Sequence, residues 1–453
     1  LGIPTIRGKA KQALLKLALE PEWEAKFEPN SYGFRPGRSA QDALACIYQS
    51  LKQKEKFIFD AEIEDCSPTI AHNPLLEKLD TCPKFSRQIK AWLKAGISFE
   101  RNRETNEEGT PQRCPISPLL VNIALHGLEQ NIQEYINQTA KNDSAAKIEA
   151  SQCTVVRYAD DFAILHPDLN RLNEIISYTE KYLEKRGLKI SKENSRIRHS
   201  LKEIHGIKPG ITFLGVYIRQ KQAGNGKTAW VGNQHSRKPL GFYLEKVPEK
   251  SKVEKHLNKL RDVVKAYETK SQEVLIRKLN PICRRWANYY RYTDNLKAFQ
   301  KIDGVLIFRL LKWGYNKHSN KTKGWVKKKY FHKIDGRDWY FAELEENRPK
   351  SKCYIYSKTG RFRYVKINGD KSPYDGDAQY WKNRLKQSVT KTQALLLTKQ
   401  NYRCGYCQGP LASGMVIEID PILPISQGGR KALSNLRMVH GHCHDGIHNK
   451  FMK

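Results

Sequence analysis

The chain has 453 residues, and its 80 lysines and arginines against 47 aspartates and glutamates leave a formal charge of +33. A surplus of this size favours a polyanionic partner, and nucleic-acid phosphates fit best because each contact releases counterions; a merely soluble basic protein is the alternative. The length predicts two to four domains. The ten cysteines do not form a secreted disulfide framework, and no apolar run is long enough to span a membrane.

These features predict a cytoplasmic protein that works in a reducing environment without a membrane partner. No charged leader followed by an apolar stretch opens the chain. The first residue is Leu1 rather than an initiator methionine, so we expect an N-terminal portion to be absent from this sequence.

The hydrophobic patterns predict a mixed α+β region, then a helical region, then a small C-terminal unit. Helix-like patterns cover residues 10–19, 119–132 and 172–183. Short β-rich runs cover residues 57–63, 154–165 and 211–218. Strand signals fade between about 245 and 345, where helix-like segments carry aromatic and basic residues. Residues from about 346 to 390 are polar and predict connecting structure, and the remainder forms a compact unit.

The first strand-like run reads Phe-Ile-Phe-Asp-Ala-Glu-Ile over residues 57–63. Because side chains alternate along a strand, Asp60 and Glu62 are expected on one face. The simplest interpretation of such a face is an acidic strand edge exposed to solvent. The alternative is a share in a metal site, which needs carboxylates from more than one strand.

Two apolar runs flank the sequence Arg-Tyr-Ala-Asp-Asp at residues 157–161, which predicts a hairpin with Asp160 and Asp161 at its tip. Adjacent carboxylates among apolar strands are costly to desolvate unless they bind a cation. Two Mg²⁺ ions held by such groups would stabilise the attacking and leaving oxygens of a phosphoryl transfer.

Several further blocks, in this order and spacing, resemble the characteristic blocks of bacterial group II intron and retron-type reverse transcriptases. They are Leu-Gly-Ile-Pro-Thr at 1–5, Ser-Tyr-Gly-Phe-Arg-Pro-Gly-Arg-Ser at 31–39, Gly-Thr-Pro-Gln at 109–112, Ser-Pro-Leu-Leu at 117–120 and Phe-Leu-Gly at 213–215. The resemblance implies a right-hand polymerase with fingers and palm. It also implies a primer 3′-hydroxyl that attacks the nucleotide α-phosphate and releases pyrophosphate.

The same resemblance implies roles for individual residues. Mg²⁺ would be held by Asp160, Asp161 and the strand carboxylate Glu62. Template or nucleotide contacts would come from the following residues: Arg35, Arg38, Gln112 and Tyr158.

Four positions depart from the family pattern in ways that bear on polymerisation. Glu62 stands where relatives have Asp, and its extra methylene moves the carboxylate by about 1.5 Å, whereas productive sites tolerate about 0.5 Å. Ser67 replaces the Phe beneath the incoming sugar, Arg113 replaces a Gly, and Asn194 stands where a Lys is expected, although Lys192 is close. We therefore hypothesise that polymerisation is weakened or lost.

Residues 275–291 resemble the maturase-specific thumb of group II intron proteins. Trp286, Tyr289 and Tyr290 are helical neighbours, and Trp286 is expected to be core. The resemblance to the thumb and the local charge predict an RNA-binding set: Arg284, Arg285, Arg291, Lys327, Lys328 and Lys329. The surrounding stretch 301–335 holds ten basic residues against two aspartates, which is either a solvated face or a phosphate track.

Near the C-terminus, a Cys-x-x-Cys pair precedes a second x₂-spaced pair after 32 residues. The spacing predicts one tetrahedral structural Zn²⁺ held by Cys404, Cys407, His440 and Cys443, with free cysteines as the alternative. A unit this short would draw much of its folding free energy from the metal.

Between and after these pairs, the sequence resembles the ββα-metal nuclease of the HNH type. The resemblance implies that Asp420 and His444 hold Mg²⁺ and that Asn435 fixes the hairpin loop. The general base should follow Asp420, but that position is Pro421, which cannot take a proton. Loss of a general base typically costs about 10²- to 10⁴-fold in rate, so we expect a folded DNA-binding module with little cleavage.

The sequence thus predicts a group II intron-encoded protein in four parts: fingers and palm at 1–240, an α-helical thumb at 241–345, a DNA-binding or connecting region at 346–390 and a zinc-stabilised HNH domain at 391–453. It would bind intron RNA to promote splicing and reverse splicing into target DNA, in a bacterial cytoplasm. The alternatives are a fully active reverse transcriptase and endonuclease, or a retron-like or CRISPR-associated reverse transcriptase without a maturase role. Homodimerisation stays open.

Overall fold

The computed structural model describes residues 5–450 except 96, 100–101, 105–107, 111–113, 141, 225–227, 232–237, 335, 347, 413–414, 425–426 and 431. The described chain is a mixed α/β protein that divides into two compact units. Unit 1 comprises residues 1–209 together with 364–453, and unit 2 comprises residues 210–363. Within the described residues, no helix is long and apolar enough to cross a membrane.

The N-terminal part of unit 1 surrounds one antiparallel sheet with helices. The elements are α1 (Ile6–Lys26), α2 (Ala40–Ser50), β1 (Phe57–Glu64), α3 (Cys66–Thr69), α4 (His72–Leu79), α5 (Pro83–Leu93), β2 (Ile97–Phe99), β3 (Asn102–Glu104), α6 (Ser117–Leu125), α7 (Leu128–Thr139), α8 (Asp143–Gln152), β4 (Thr154–Tyr158), β5 (Asp161–His166), α9 (Leu169–Glu184), β6 (Lys189–Ile190) and β7 (Arg196–His199). The sheet order is β4-β5-β1-β6, and β7 also pairs with β1.

Strand β1 lies between β5 and its partners β6 and β7, and its side chains alternate as predicted. Phe59, Ala61 and Ile63 join the hydrophobic core that helices α4 to α7 and α9 complete. Asp60 and Glu62 alternate with them and are only half-buried. The opposite face of β1 therefore carries Asp60 and Glu62 beside the fully buried Ile58.

Unit 2 combines a small sheet, four helices and a second antiparallel sheet. The elements are β8 (Ile211–Phe213), β9 (Val216–Gln222), β10 (Trp230–Val231), β11 (Lys238–Pro239), β12 (Phe242–Pro248), α10 (Lys250–Ala266), α11 (Gln272–Tyr290), α12 (Leu296–Lys317), α13 (Lys323–Tyr330), β13 (Phe331–Ile334), β14 (Arg337–Glu345) and β15 (Arg348–Lys352). The sheet orders are β12-β9-β8 and β13-β14-β15.

Trp286 packs among rings but is half-buried, so the prediction that it lies in the core is only partly met. Its ring stacks on His256 with centroids 4.8 Å apart, and it contacts Tyr290, Phe299 and Tyr356 at 4.3 to 6.0 Å. Burial lowers the pKa of His256 to about 4. This cluster holds α10, α11 and α12 together.

The returning chain completes unit 1 with α14 (Ala378–Gln387), α15 (Lys391–Lys399), β16 (Ile417–Pro421), β17 (Leu436–His440) and α16 (Gly441–Lys450). Strands β16 and β17 pair antiparallel. A separate small core joins α14 and α15 to this hairpin and to the cysteine pairs.

Residues 364–387, which we call the return segment, are anchored on α2 by a buried acidic side chain. Asp42 is fully buried and accepts hydrogen bonds from Arg384 Nη2 at 2.9 and 3.1 Å, Tyr364 Oη at 2.8 Å and the Ile367 amide at 2.7 Å. Pairing within hydrogen-bond distance offsets the cost of burying this carboxylate.

Three sequence expectations differ from the structure. The pattern at 119–132 is two helices, since Gly127 has φ +91° and breaks the run between α6 and α7. The expected helical run to 345 ends at Tyr330, where β13 to β15 begin; Tyr340 and Ala342 alternate into a small core. The expected connecting structure at 346–390 contains β15 and the return segment, which packs on α2.

Candidate active site and metal centre

The acidic pair lies at the predicted hairpin tip between β4 and β5. Tyr158 pairs with Asp161 in the ladder, and Ala159, with φ +60°, makes the turn. On the neighbouring strand, Glu62 lies directly opposite Asp161. The amide of Ile63 also donates to the Asp160 carbonyl at 3.1 Å. The structure therefore brings Glu62, Asp160 and Asp161 to one end of the sheet.

Like charges concentrate at this end of the sheet. Burial, followed by the charges of Asp160, Glu62 and Asp60, raises the pKa of Asp161 to about 6. Carboxylates directly opposite each other in a sheet destabilise it. A divalent cation would relieve this repulsion, and carboxylate oxygens are the donors that Mg²⁺ prefers. The donor chemistry therefore suits Mg²⁺, although among the described residues these carboxylates do not gather into a ligand cluster as the zinc ligands do.

Asp60 has a different environment from Glu62. Its Oδ2 lies 3.5 Å from Nε of Arg198 on β7. Burial raises the pKa of Asp60 to about 6 despite that guanidinium. An arginine partner makes Asp60 a brace between β1 and β7 rather than a free ligand.

A buried polar network behind the tip was not identified from the sequence. Arg157 Nη1 donates to Asn122 Oδ1 at 3.0 Å and to the Ala159 carbonyl at 3.2 Å, and its Nη2 donates to Ser31 Oγ at 2.7 Å. Asn122 Nδ2 in turn donates to the Gly33 carbonyl at 2.8 Å. Asn122, a polar residue within the otherwise apolar sequence of α6, is the sequence signal that could have indicated this network.

Gly33 lies against the backbone of the tip. A Cβ on Gly33 would stand 2.4 Å from the Ala159 nitrogen, so the loop at 31–34 supports the turn by direct contact. Beside it, Phe34 has φ +57° and is 59% exposed, with its ring 6.4 Å from that of Tyr158. Tyr158 is half-buried, so this aromatic pair borders the carboxylates.

The predicted phosphate contacts of Arg35 and Arg38 need revision. Arg35 is 5% exposed and forms a two-point pair with Glu24 at 2.8 and 2.9 Å. Arg38 is 8% exposed, and its guanidinium donates to the carbonyls of Pro29, Gly369 and Lys371. Because the Arg35 guanidinium and both terminal nitrogens of Arg38 have internal partners, whereas Arg38 Nε has none, the two arginines brace the loop and the return segment.

Of the four positions that depart from the family pattern, the structure describes Glu62, Ser67 and Asn194. The Ser67 hydroxyl lies 2.7 Å from Thr110 Oγ1 in the Gly-Thr-Pro block. Asn194 is exposed in the β6–β7 turn, where Ser195 Oγ accepts from the Glu62 amide at 3.2 Å. The predicted residues Gln112 and Arg113 lie outside the described residues, as do residues 1–4 of the first block.

The predicted lysine cluster forms an exposed face on α13 (Lys323–Tyr330). Lys327, Lys328 and Lys329 are all exposed on α13. Lys329 Nζ lies 4.8 Å from the centre of the Trp325 ring, and Lys327 Nζ lies 4.9 Å from that of Trp339. These tryptophans are 38% and 43% exposed. Cations interleaved with exposed aromatics suit phosphates and unpaired bases.

The three predicted arginines on and after α11 are not equivalent. Arg285 is exposed, whereas Arg284 and Arg291 are half-buried. The Arg291 guanidinium lies 4.3 Å from the centre of the Phe362 ring and donates to Tyr292 Oη at 2.7 Å. Arg291 thus has a packing role, and Arg285 is the most accessible of the three.

The four predicted zinc ligands converge. One ligand atom from each of Cys404, Cys407, His440 and Cys443 lies within 4.8 Å of the others. His440 Nε2 lies 3.0 Å from the Pro410 carbonyl, which only accepts, so Nε2 carries the proton and Nδ1 faces the sulfurs. Burial acts to raise the pKa of Cys404, but backbone N–H groups outweigh it and lower the pKa to about 6. Three thiols and one imidazole fit Zn²⁺.

The predicted nuclease residues meet at the β16–β17 hairpin. Asn435 Nδ2 donates to the carbonyls of Leu423 and Arg430, and its Oδ1 accepts from the Leu423 amide, so it ties the loop together. His444 Nδ1 lies 3.1 Å from Glu418 Oε2, and its Nε2 lies 4.0 Å from Asp420 Oδ1.

Asp420, however, already has a cationic partner. Its Oδ2 accepts from Arg437 Nε at 2.9 Å and lies 2.8 Å from Nη2, and the residue is 1% exposed. A buried carboxylate neutralised by a guanidinium does not fit a Mg²⁺ ligand. The sequence motifs did not predict a role for Arg437. Its position directly opposite Asp420 follows once the two strands are paired.

Three family models match consecutive parts of the chain. Residues 1–218 match the model described as reverse transcriptase (RNA-dependent DNA polymerase). Residues 253–331 match the group II intron, maturase-specific domain, and residues 404–450 match the HNH endonuclease. The three matches cover the hairpin tip, the lysine face and the zinc centre.

Similar proteins include intron-encoded ones. The chain is 25% identical to "Uncharacterized 91 kDa protein in cob intron" of Schizosaccharomyces pombe, across 90% of this chain and 54% of that protein. It is 30% identical to "Group II intron-encoded protein LtrA" of Lactococcus lactis subsp. cremoris, across 40% and 28%. It is 27% identical to "Protein YkfC" of Escherichia coli, across 53% and 68%. The chain therefore spans about half the length of the first of these relatives.

Proposed function

Since the chain belongs to the group II intron-encoded proteins, we propose that it is a maturase and reverse transcriptase that binds its intron RNA and promotes splicing and reverse splicing. The observation that carries the RNA-binding proposal is the exposed lysine face of α13 with its half-exposed tryptophans. RNA offers phosphates to the lysines and splayed bases to the rings. Binding the folded RNA but not the unfolded RNA stabilises the catalytic fold by mass action.

The proposal assigns the parts of a right-hand polymerase to the observed elements. Strands β1 and β4 to β7 form the palm, residues 31–39 belong to the fingers, and α10 to α13 form the thumb. The apolar core on one face of the sheet and the carboxylates of Asp60 and Glu62 on the other support the palm assignment. The C-terminal module would contact target DNA, in a bacterial cell.

Polymerisation is the second activity, and the position of Glu62, Asp160 and Asp161 at one end of the sheet supports it. Glu62, Asp160 and Asp161 would hold Mg²⁺, which when bound stabilises negative charge on a transferring phosphoryl group. The chain itself keeps the tip rigid through Arg157 and places the Tyr158–Phe34 pair beside it. Replacement of Asp by Glu62 and of Phe by Ser67 supports a slower enzyme than its relatives.

The splicing role is tested with a precursor RNA that carries the flanking intron. At moderate Mg²⁺, the native protein should accelerate splicing, and the triple variant K327A/K328A/K329A should not. A variant that removes three exposed lysines elsewhere, K147A/K181A/K185A, should retain the activity. Equal splicing with and without native protein would refute the maturase assignment.

The polymerase role is tested separately by primer extension on a poly-A template with an oligo-dT primer. We expect slow synthesis that Asp160→Asn abolishes and Glu62→Asp accelerates. Vigorous synthesis by the native chain, unimproved by Glu62→Asp, would contradict the expected weakening. Complete loss of synthesis in all variants would confine the protein to its maturase role.

A further inference from the structure

The nuclease-like hairpin contains an ion pair at the position where the family places a metal ion. Asp420 on β16 and Arg437 on β17 are directly opposite partners. Arg437 Nε donates to Asp420 Oδ2 at 2.9 Å, and Nη2 lies 2.8 Å from the same oxygen. Asp420 is almost completely buried, so the guanidinium supplies the positive charge that its carboxylate requires.

A second contact shows that Arg437 is built into the module. Its Nη1 donates to the Gly405 carbonyl at 3.3 Å, in the loop between the first two zinc ligands. A Cβ on Gly405 would stand 2.9 Å from Arg437 Cδ and 3.0 Å from Arg437 Cβ. The arginine side chain therefore passes over a position where only a glycine leaves room, and it joins the zinc loop to Asp420.

His444, the other predicted Mg²⁺ ligand, also has a side-chain partner. His444 Nδ1 is 3.1 Å from Glu418 Oε2, and its Nε2 is 4.0 Å from Asp420 Oδ1. Mg²⁺ demands near-octahedral oxygen ligands at 2.0 to 2.1 Å. A dication at Asp420 would also lie beside the Arg437 guanidinium, and the two positive charges would repel each other.

We propose that Arg437 is the permanent cation of this hairpin, so that the HNH-type module has no Mg²⁺ site and keeps a zinc-stabilised, non-cleaving role. Pro421 agrees with this role because it supplies no general base. The inference rests on the assignment of the module within the proposed function, but it does not require the RNA-binding or polymerase roles.

The test maps divalent-cation sites by local backbone cleavage in the full, zinc-loaded chain. Fe²⁺ replaces Mg²⁺, and ascorbate with hydrogen peroxide generates hydroxyl radicals that cut the chain near bound iron. The native chain should give no fragments from cuts near residues 420 and 444. Cuts there that disappear in Asp420→Asn would overturn the proposal.

Two variants test whether Arg437 itself keeps the cation out. Arg437→Gln retains most of the stem that packs on Gly405 and removes the charge, whereas Arg437→Ala also removes the packing. We expect Arg437→Gln to gain cuts near residues 420 and 444 while zinc content stays unchanged. If the zinc-retaining variant gains none, Arg437 does not hold the cation position and the proposal fails. The readout involves neither RNA nor nucleotide, so its failure leaves the proposed maturase role intact.

Discussion

At the residue scale, the loop at 31–34 explains how a two-residue acidic tip is held in place. Gly33 touches the Ala159 backbone, and Arg157 donates to the Ala159 carbonyl from behind. The left-handed φ of Ala159 is costly for a residue with a Cβ, so its surroundings must hold it there. Precise placement of Asp160 and Asp161 thus depends on residues that carry no catalytic chemistry.

Gly33→Ala should destabilise unit 1 by about 1–3 kcal/mol, the usual cost of overpacking, because the new methyl group meets backbone rather than a flexible side chain. The free energy of unfolding is measured by urea denaturation, with tryptophan fluorescence as the signal. Gly304→Ala is the matched control, since a Cβ there meets no heavy atom within 4 Å. Equal stability of the two variants would show that the loop does not brace the tip.

The raised pKa of Asp161 predicts a pH-dependent response to Mg²⁺. A carboxyl that titrates near pH 6 when folded, against an ordinary value of 3.8, stabilises the fold at low pH. That contribution is lost as the pH rises through about 6. Mg²⁺ competes with the proton, so it should raise the melting temperature more at pH 8 than at pH 5.

Asp161→Asn should remove most of this difference and raise the metal-free melting temperature at pH 8, because it deletes a repelled charge. Differential scanning fluorimetry at both pH values, with and without Mg²⁺, measures both effects. Asp262→Asn, in an exposed ion pair, is the control and should behave like the native chain. An unchanged Mg²⁺ response in Asp161→Asn would place the cation elsewhere.

At the element scale, the buried Asp42 of α2 holds the return segment, and Arg384 is its charged partner. Removal of one partner from a buried pair typically costs about 3–5 kcal/mol, so Arg384→Met should destabilise unit 1 by that amount and expose residues 364–387 to protease. Urea unfolding and limited proteolysis measure the two effects. Arg261→Met breaks an exposed pair and should cost no more than about 1 kcal/mol.

The zinc hairpin makes a second prediction at this scale. Cys404→Ser should abolish zinc retention, measured by elemental analysis, and should also remove the thiolate–metal absorption of the Co²⁺-substituted protein. Structural zinc contributes about 10–16 kcal/mol in small zinc peptides, so residues 400–450 should lose amide-exchange protection. Cys82→Ser, at an exposed cysteine, should retain zinc. Full retention by Cys404→Ser would remove this residue from the ligand set.

The sequence predicted the elements that local patterns define. The alternation of β1, the β4–β5 tip and the spacing of the cysteine pairs depend on neighbours within a few residues, and each appears in the structure. Arg38 could not be interpreted in this way, because its partners at Gly369 and Lys371 lie more than 300 positions along the chain. The β13–β15 sheet was not predicted because its short apolar alternation is interrupted by basic residues.

At the scale of the whole molecule, the charge of +33 predicts steep salt dependence of RNA binding. Each lost phosphate contact reduces the steepness of the fall of log affinity with log salt by about 0.7–0.9. In K327A/K328A/K329A, this steepness should therefore be reduced by about 2 to 3. Filter binding of structured intron RNA across a KCl series measures the slope. The control K147A/K181A/K185A should leave it near the native value, and equal losses would indicate non-specific attraction alone.

The discontinuity of unit 1 also orders events during synthesis. Asp42 leaves the ribosome 342 residues before Arg384, its buried partner. Until then its carboxylate must remain hydrated, and α2 cannot adopt its final surroundings. A ribosome that stalls within unit 2 would hold a nascent unit 1 that is still incomplete. Synthesis of residues 364–387 thus determines when α2 reaches its final packing.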